Sequence, residues 1–253
     1  MDNTLYKEIF KRKSFHLFRG IGDKKITDSE IDTIDEMIKN LTPLVSDIKV
    51  KIMITKDGAS CHRGQEYAIV FYSEKKENYL QNIGYLGEQL DLLLVSIDIG
   101  TLWFGIGKPK EEMIDGLSYV IMMAIAKVDD SKKFRRDMYK SKRKPLSEVL
   151  ISDNDDYNAI VDVARFAPSA CNSQPWLVEA STKEVVVSRY SREGKRGIMP
   201  KNKVAFYNQI DIGIFLCFIE LCFSHNGINY KRTLFTEVDH SLEKNKTAVY
   251  LID

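Results

Sequence analysis

The chain has 253 residues, of which 44% are hydrophobic and 29% charged. That mixture argues against disorder, collagen and coiled-coil rods, and the length suffices to bury a sizeable core. Lysine plus arginine (37) and aspartate plus glutamate (36) nearly cancel to a net charge of +1, which argues against a nucleic-acid-coating protein or an acidic tail but leaves room for local patches.

No long apolar run follows residues 1–8, so no secretory segment is expected. Thr27, followed three residues later by Glu30, predicts a capped helix start, and Ile31, Ile34, Ile38 and Leu41 then share one helical face that ends before Pro43. Residues 50–54 and 67–72 read as strands, with Asp57-Gly58 placed to turn a hairpin between them. Residues 85–99 form a nearly continuous apolar helix ending at Gly100, and residues 119–126 another strand. Residues 140–145 look like a connector. Ser152 with Asp155 predicts a second capped helix, running through Ala159, Val163 and Phe166 and stopping near Pro168. Residues 185–187 and 248–252 read as strands, and residues 210–225 as a second apolar helix ending near Gly227. The core of that helix, residues 210–223, carries Asp211 and Glu220 and falls short of the roughly 20 residues of a membrane span, so it reads as buried. Both long helices are too apolar all round for a surface, which puts them at the centre of the core of an α+β or α/β protein.

The order of elements repeats. Ile26-Thr27-Asp28-Ser29 resembles Ile151-Ser152-Asp153-Asn154 at an offset of 125, Pro43 meets Pro168 at the same offset, and the two apolar helices follow at a similar one. With Ile52-Met53 meeting Leu177-Val178 at the offset of 125 as well, four segments agreeing in order outweigh chance similarity between amphipathic helices. With no low-complexity linker, the expectation is a single compact unit over 1–253 with an internal repeat of approximately 1–140 and 141–253.

Several chemistries find no support. The glycines of residues 105–109 complete neither a P-loop nor GxGxxG, and no GxSxG occurs. His16, His62, His225 and His240 are scattered without metal spacing, so no metal is expected. Cys61, Cys171, Cys217 and Cys222 contain no CxxC and read as free thiols of a reducing cytoplasm. Cys61-His62 is a weak candidate for zinc or thiol chemistry beside an exposed-loop reading. Residues 132–144 hold eight basic residues in thirteen, which suits a solvated face, a nucleic-acid patch or a compact phosphate site.

The most informative segment is residues 164–176, where a helix ends in Pro168-Ser169 and polar Asn172 and Gln174 precede Pro175-Trp176. Asn and Gln offer donors and acceptors suited to a flat heteroaromatic ligand, and the same residues suit a helix-terminating turn with a Trp anchor. This PSxxNxQPW segment resembles the signature of the nitroreductase family of FMN-dependent oxidoreductases. Arg12-Lys13-Ser14 resembles that family's N-terminal basic pair and serine, and residues 99–107 its apolar helix running into a Gly-rich turn. In ordinary members PSxxNxQPW comes early and the flavin lies at a homodimer interface. Here it comes late, which resembles the family's single-chain branch and implies an intramolecular pseudo-dimer.

The resemblance implies one FMN per chain, with NAD(P)H as donor and a nitroaromatic, quinone or similar small molecule as acceptor; the fused halves make a monomer plausible, with neither nucleic acid nor membrane as partner. No side-chain nucleophile is implied, because the hard chemistry is the cofactor's. By the same resemblance Arg12, Lys13 and Ser14 hold the phosphate and ribityl end, joined by Arg143. Pro168, Ser169, Ala170, Asn172 and Gln174 border the ring, and Leu102, Trp103 and Gly105 pass beside it. The family usually has Lys or Arg two residues after the serine; His16 stands there instead, near the flavin or hydrogen-bonding its surroundings. The mirror pocket would need Arg143-Lys144-Pro145 with residues 42–46, which lack the Asn, Gln and Trp. Cys171 is assigned no role, Trp103 and Phe104 suit pocket lining or core, and Arg165 suits the surface. The alternatives are a flavin-storage protein without turnover and a superfamily member with other redox chemistry.

Overall fold

The structure, a computed structural model, describes residues 3–56, 60–152, 154–190, 197–237, 239 and 242–253. The chain divides into an N-terminal unit, Lys7–Tyr79 with Leu86–Met138, and a C-terminal unit, Met1–Tyr6 with Leu80–Tyr85 and Tyr139–Asp253.

In chain order the first elements are α1 (Tyr6–Lys11), α2 (Asp28–Lys39), β1 (Val50–Thr55), β2 (Tyr67–Ser73), α3 (Tyr79–Ser96), β3 (Ile99–Phe104), β4 (Met113–Ile114) and β5 (Leu117–Lys127). The sheet of the N-terminal unit runs β1-β2-β5-β3, with β4 paired to β5. Its strands are antiparallel, with β5 central; Val70 of β2 faces Met122 of β5, which in turn faces Phe104 of β3. Met122, Ala124 and Ala126 sit in a buried cluster with Phe15, Phe18, Val95, Leu102 and Phe134.

Thr27 caps α2 as its sequence predicts: its hydroxyl accepts from the Glu30 amide at 3.2 Å and the Glu30 carboxylate accepts from the Thr27 amide at 2.9 Å. Of the predicted apolar face, Ile34 is buried and Ile31, Ile38 and Leu41 are half-buried. Thr27→Ala is expected to cost about 1 kcal/mol, the usual worth of a side-chain N-cap, read as a lower urea midpoint at unchanged slope.

The C-terminal unit continues with β6 (Leu150–Ser152), α4 (Asp156–Ala164), β7 (Trp176–Ala180), β8 (Glu184–Tyr190), α5 (Val204–His225), β9 (Tyr230–Leu234) and β10 (Lys244–Ile252). Its sheet runs β6-β7-β8-β10-β9, with β6 parallel to β7 and the other pairs antiparallel. α4 packs on α5, whose residues 210–223 are all buried. A side chain on Gly213 would lie 1.9 Å from the Gln81 carbonyl, and one on Gly84 would lie 2.0 Å from that of Ile210. The first turns of α3 and the middle of α5 therefore cross with backbones in contact, which only glycine permits.

Several expectations are corrected. α3 begins at Tyr79 rather than residue 85, because buried Gln81 and Asn82 in its first turns broke the apolar pattern. It ends at Ser96; Asp98 turns the chain at a φ of 59°, and residues 99–104, expected to lead into a Gly-rich turn, are strand β3. Gly100 is thus no helix stop: a side chain there would lie 2.8 Å from the Phe15 ring. α5 has 22 residues and with its leading turn is long and apolar enough to cross a membrane by length and composition, yet its middle is the buried core of its unit. Ser152 does not cap α4. It lies at the end of β6 and bonds Asn154, whose side chain accepts from the Asp156 amide at 2.9 Å. The hairpin turn expected at Asp57-Gly58, and Asp153 and His240, lie outside the described residues.

Candidate functional site

Residues 12–15 run beside β3: the Phe15 amide donates to the Thr101 carbonyl at 2.9 Å, and Ser14 pairs with Thr101. Phe15 and Phe18 insert into the core, and the residues between them line a cleft of about 200 Å³. Its walls include Lys13, Ser14, His16, Arg19 and Lys133. Burial, then the charges of Arg135 and Lys133, push the Lys13 ammonium below its usual range. Burial, then the charge of Arg12, holds the Arg135 guanidinium down to about 10. Lys13, Arg19 and Lys133 line one concave surface, and the charges of Arg135 and Lys133 raise the energy of the Lys13 ammonium, so an anion in this cleft would relieve it.

Arg12 does not line that cleft. It is 1% exposed and turns toward α3. Its Nε donates to the Asp91 carboxylate at 2.9 Å and lies 3.8 Å from that of Glu88. Thr101 Oγ1 donates to Asp91 at 2.6 Å, and the Trp103 indole N–H donates to Glu88 at 3.1 Å. Burial, then the charge of Asp91, pushes the Glu88 carboxyl well above the ordinary range. Leu102 is buried on β3, Trp103 stacks on Phe71 with ring centres 5.9 Å apart, and Gly105 follows the strand in the turn closed by the Gly107 amide.

The PSxxNxQPW segment is a tightly wound loop. Cys171, Asn172 and Gln174 have φ of 51°, 56° and 50°, the left-handed region that non-glycine residues occupy only when their surroundings impose it. The imposition is visible. The Gln174 amide donates to Ser169 Oγ at 3.0 Å, and the Gln174 side-chain carbonyl accepts from the Lys144 amide at 2.8 Å. Lys144 is buried with its ammonium 2.6 Å from the Gln174 carbonyl. Arg143 reaches the Phe166 carbonyl and the Asn172 side chain, both at 3.0 Å. Asp211 of α5 accepts from the Ala170 amide at 2.8 Å and from Ser173 Oγ at 3.3 Å. Beyond the loop, Trp176 lies buried on Phe215 with ring centres 4.9 Å apart.

The structure thus brings Lys13, Ser14 and His16 to one cleft of the N-terminal unit, and gathers Ser169, Ala170, Asn172, Gln174 and Arg143 in one loop of the C-terminal unit, with Pro168 buried beside them. It uses Asn172 and Gln174 to wind the loop, because three left-handed residues in four need that bonding. Arg165, expected at the surface, is half-buried, bonding Asp162 and the Lys144 carbonyl. The basic run of residues 132–144 is neither one face nor one patch: Lys133 lines the cleft, while Arg143 and Lys144 clasp the loop. Arg19 and Asp211 have no motif to reveal them. Cys61 is buried beside exposed His62, and burial pushes its thiol up, against nucleophilic use. Among the described residues no group of acidic, His or Cys side chains could hold a metal ion.

A mixed α/β protein with a cationic cleft and a clasped PSxxNxQPW loop defines the class. The chain belongs to the family described as "Putative TM nitroreductase", whose model matches residues 4–223. In fold it is similar to a nitroreductase from Thermotoga maritima, at 18% identity and a TM-score of 0.63, over 98% of this chain and 93% of that one. An NADH dehydrogenase/NAD(P)H nitroreductase from Bacteroides thetaiotaomicron aligns with 59% of this chain and 97% of its own at 12% identity and a TM-score of 0.44. A nitroreductase in complex with FMN from Desulfovibrio desulfuricans aligns with 58% and 95% at 15% identity and a TM-score of 0.41. No curated protein matches the sequence.

Proposed function

We propose that the chain is an FMN-dependent oxidoreductase that takes hydride from NAD(P)H and passes it to a nitroaromatic, quinone or similar small-molecule acceptor. The observation that carries this reading is the cationic cleft of Lys13, Ser14, Arg19 and Lys133, in a chain of this family. A phosphate monoester fits there: the cations supply charge and the Ser14 hydroxyl a donor. When bound, FMN supplies the hydride chemistry; the protein's share is to hold, orient and shield it. Within the C-terminal unit the loop at residues 168–174 is preformed, its Ser169 and Gln174 side chains accepting from the Gln174 and Lys144 amides and its Ala170 amide donating to Asp211.

One FMN per chain follows from there being one PSxxNxQPW loop. We read the two units as a duplication, in which the sheet order β1-β2-β5-β3 matches β7-β8-β10-β9, with α3 and α5 each following the second strand of its set. Such a fused pair suits a monomer working in the cytoplasm. The test is the visible spectrum of the purified chain, with FMN added if needed, before and after anaerobic NADH or NADPH. Flavin bands that bleach, at one flavin per chain, are expected. Bound flavin that no nicotinamide reduces points to a storage protein, and a chain that refuses FMN removes the reading.

A further inference from the structure

Asp211 is the one carboxylate among the loop's anchors. It projects from α5 with 3% exposure, and among the described residues it forms no ion pair. Its Oδ1 takes the Ala170 amide at 2.8 Å. Its Oδ2 takes the Asn208 side-chain amide at 2.9 Å and Ser173 Oγ at 3.3 Å. Asn208 also donates to Ser173 Oγ at 3.0 Å, which closes a ring of neutral donors around the carboxylate. These donors come from the loop and from α5, and none carries charge.

We propose that Asp211 is a positioning residue whose protonation state sets the shape of the 168–174 loop, so that the loop works as a proton-sensitive latch. The ionised carboxylate accepts from three donors at once, and Ser173 must then point its hydroxyl proton inward. Once protonated, Asp211 has one oxygen that donates, and Ser173 Oγ is the acceptor within reach. The Ser173 hydroxyl proton is then released from the carboxylate, and the ring that holds Ala170 and Ser173 together is weakened. Cys171, Asn172 and Gln174 sit in left-handed backbone that their surroundings must impose, so a weakened anchor lets the loop relax. Burial places this switch in the working range: it pushes the Asp211 carboxyl up to about 7, against the hydrogen bonds of Ala170, Asn208 and Ser173. The charged groups that also clasp the loop, Arg143 and Lys144, bond Asn172 and the Phe166 and Gln174 carbonyls rather than Asp211, and Ser169 and Gln174 carry no titratable group.

The consequence for flavin rests on the proposed function: the clasped, ionised form is the one that binds, and FMN affinity rises through neutrality by about tenfold, one unit of linked titration. The latch itself is read without flavin. Trp176 follows the loop directly, and the chain has two tryptophans, so Trp103→Phe leaves Trp176 as a single fluorescent reporter. On that background, emission is titrated from pH 5.5 to 8.5. A transition near pH 7 that disappears in Asp211→Asn is expected. Ser173→Ala, which removes one donor to the carboxylate and keeps the acid, should move the midpoint upward, and it serves if Asp211→Asn does not fold. A flat titration, or a transition unchanged in both variants, overturns the proposal. A normal transition in a chain that binds no FMN at any pH leaves the latch standing and removes the flavin reading alone.

Discussion

Replacing Glu220 by alanine is expected to destabilise the C-terminal unit by about 3–5 kcal/mol, the usual cost of removing one partner from a buried ionic network. Glu220 lies on α5 with 3% exposure and accepts from four side chains. The Tyr85 and Tyr230 hydroxyls reach one oxygen at 2.7 and 2.9 Å. The Tyr250 hydroxyl and the Arg232 guanidinium reach the other at 2.8 and 2.6 Å. One carboxylate thus ties α3, α5, β9 and β10. Burial, then the charge of Glu220, holds the Tyr85, Tyr230 and Tyr250 phenols well above their ordinary range, so they remain donors at any ordinary pH. Without Glu220, three phenols and a guanidinium lose their common acceptor inside the unit. Glu220→Gln keeps the shape but presents two N–H groups to a ring of donors, and is expected to recover little. Urea unfolding followed by far-ultraviolet circular dichroism measures the loss. A change below about 1 kcal/mol in Glu220→Ala would mean that water replaces the carboxylate.

The reason this network was illegible in the sequence also explains what was legible. Period and capping are local, so the Thr27-Glu30 box and the strands at 50–55 and 67–73 could be read from neighbouring residues. Glu220 reads in the sequence only as a charge within a buried apolar helix, because its partners lie up to 135 residues away. Strand β3 was hidden for a related reason: Ile99 continues the apolar run of α3, and the break between them is a left-handed Asp98 that no glycine announces. The PSxxNxQPW loop was legible as a special segment from its composition. Which atoms it would offer was not, because the fate of the Asn172 and Gln174 side chains depends on Arg143 and Lys144, some thirty positions away. The second cap failed because Ser152 belongs to an edge strand, and strand pairing outcompetes a local cap.

Arg12→Met separates two roles that one basic motif could play. A phosphate ligand would leave the flavin-free chain as stable as before and weaken FMN binding. The geometry favours the other role: Arg12 neutralises Asp91 and its neighbour Glu88 beneath β3. Its removal is expected to cost about 3–5 kcal/mol in the flavin-free chain, because two buried carboxyls lose their cation. The loss should depend on pH with a definite sign. Glu88 already binds its proton more tightly in the folded chain than an ordinary carboxyl does. Its contribution to stability therefore falls as pH rises from the ordinary carboxyl range through that raised value. Without the guanidinium the Glu88 carboxyl is pushed further up, so the penalty should be larger at pH 8.5 than at pH 6. Urea midpoints at the two pH values measure it. Arg12→Met combined with Glu88→Gln and Asp91→Asn removes the charges together, and should recover most of the lost stability and flatten the pH dependence. Full stability in the single variant, with weakened FMN binding, would instead return Arg12 to the phosphate.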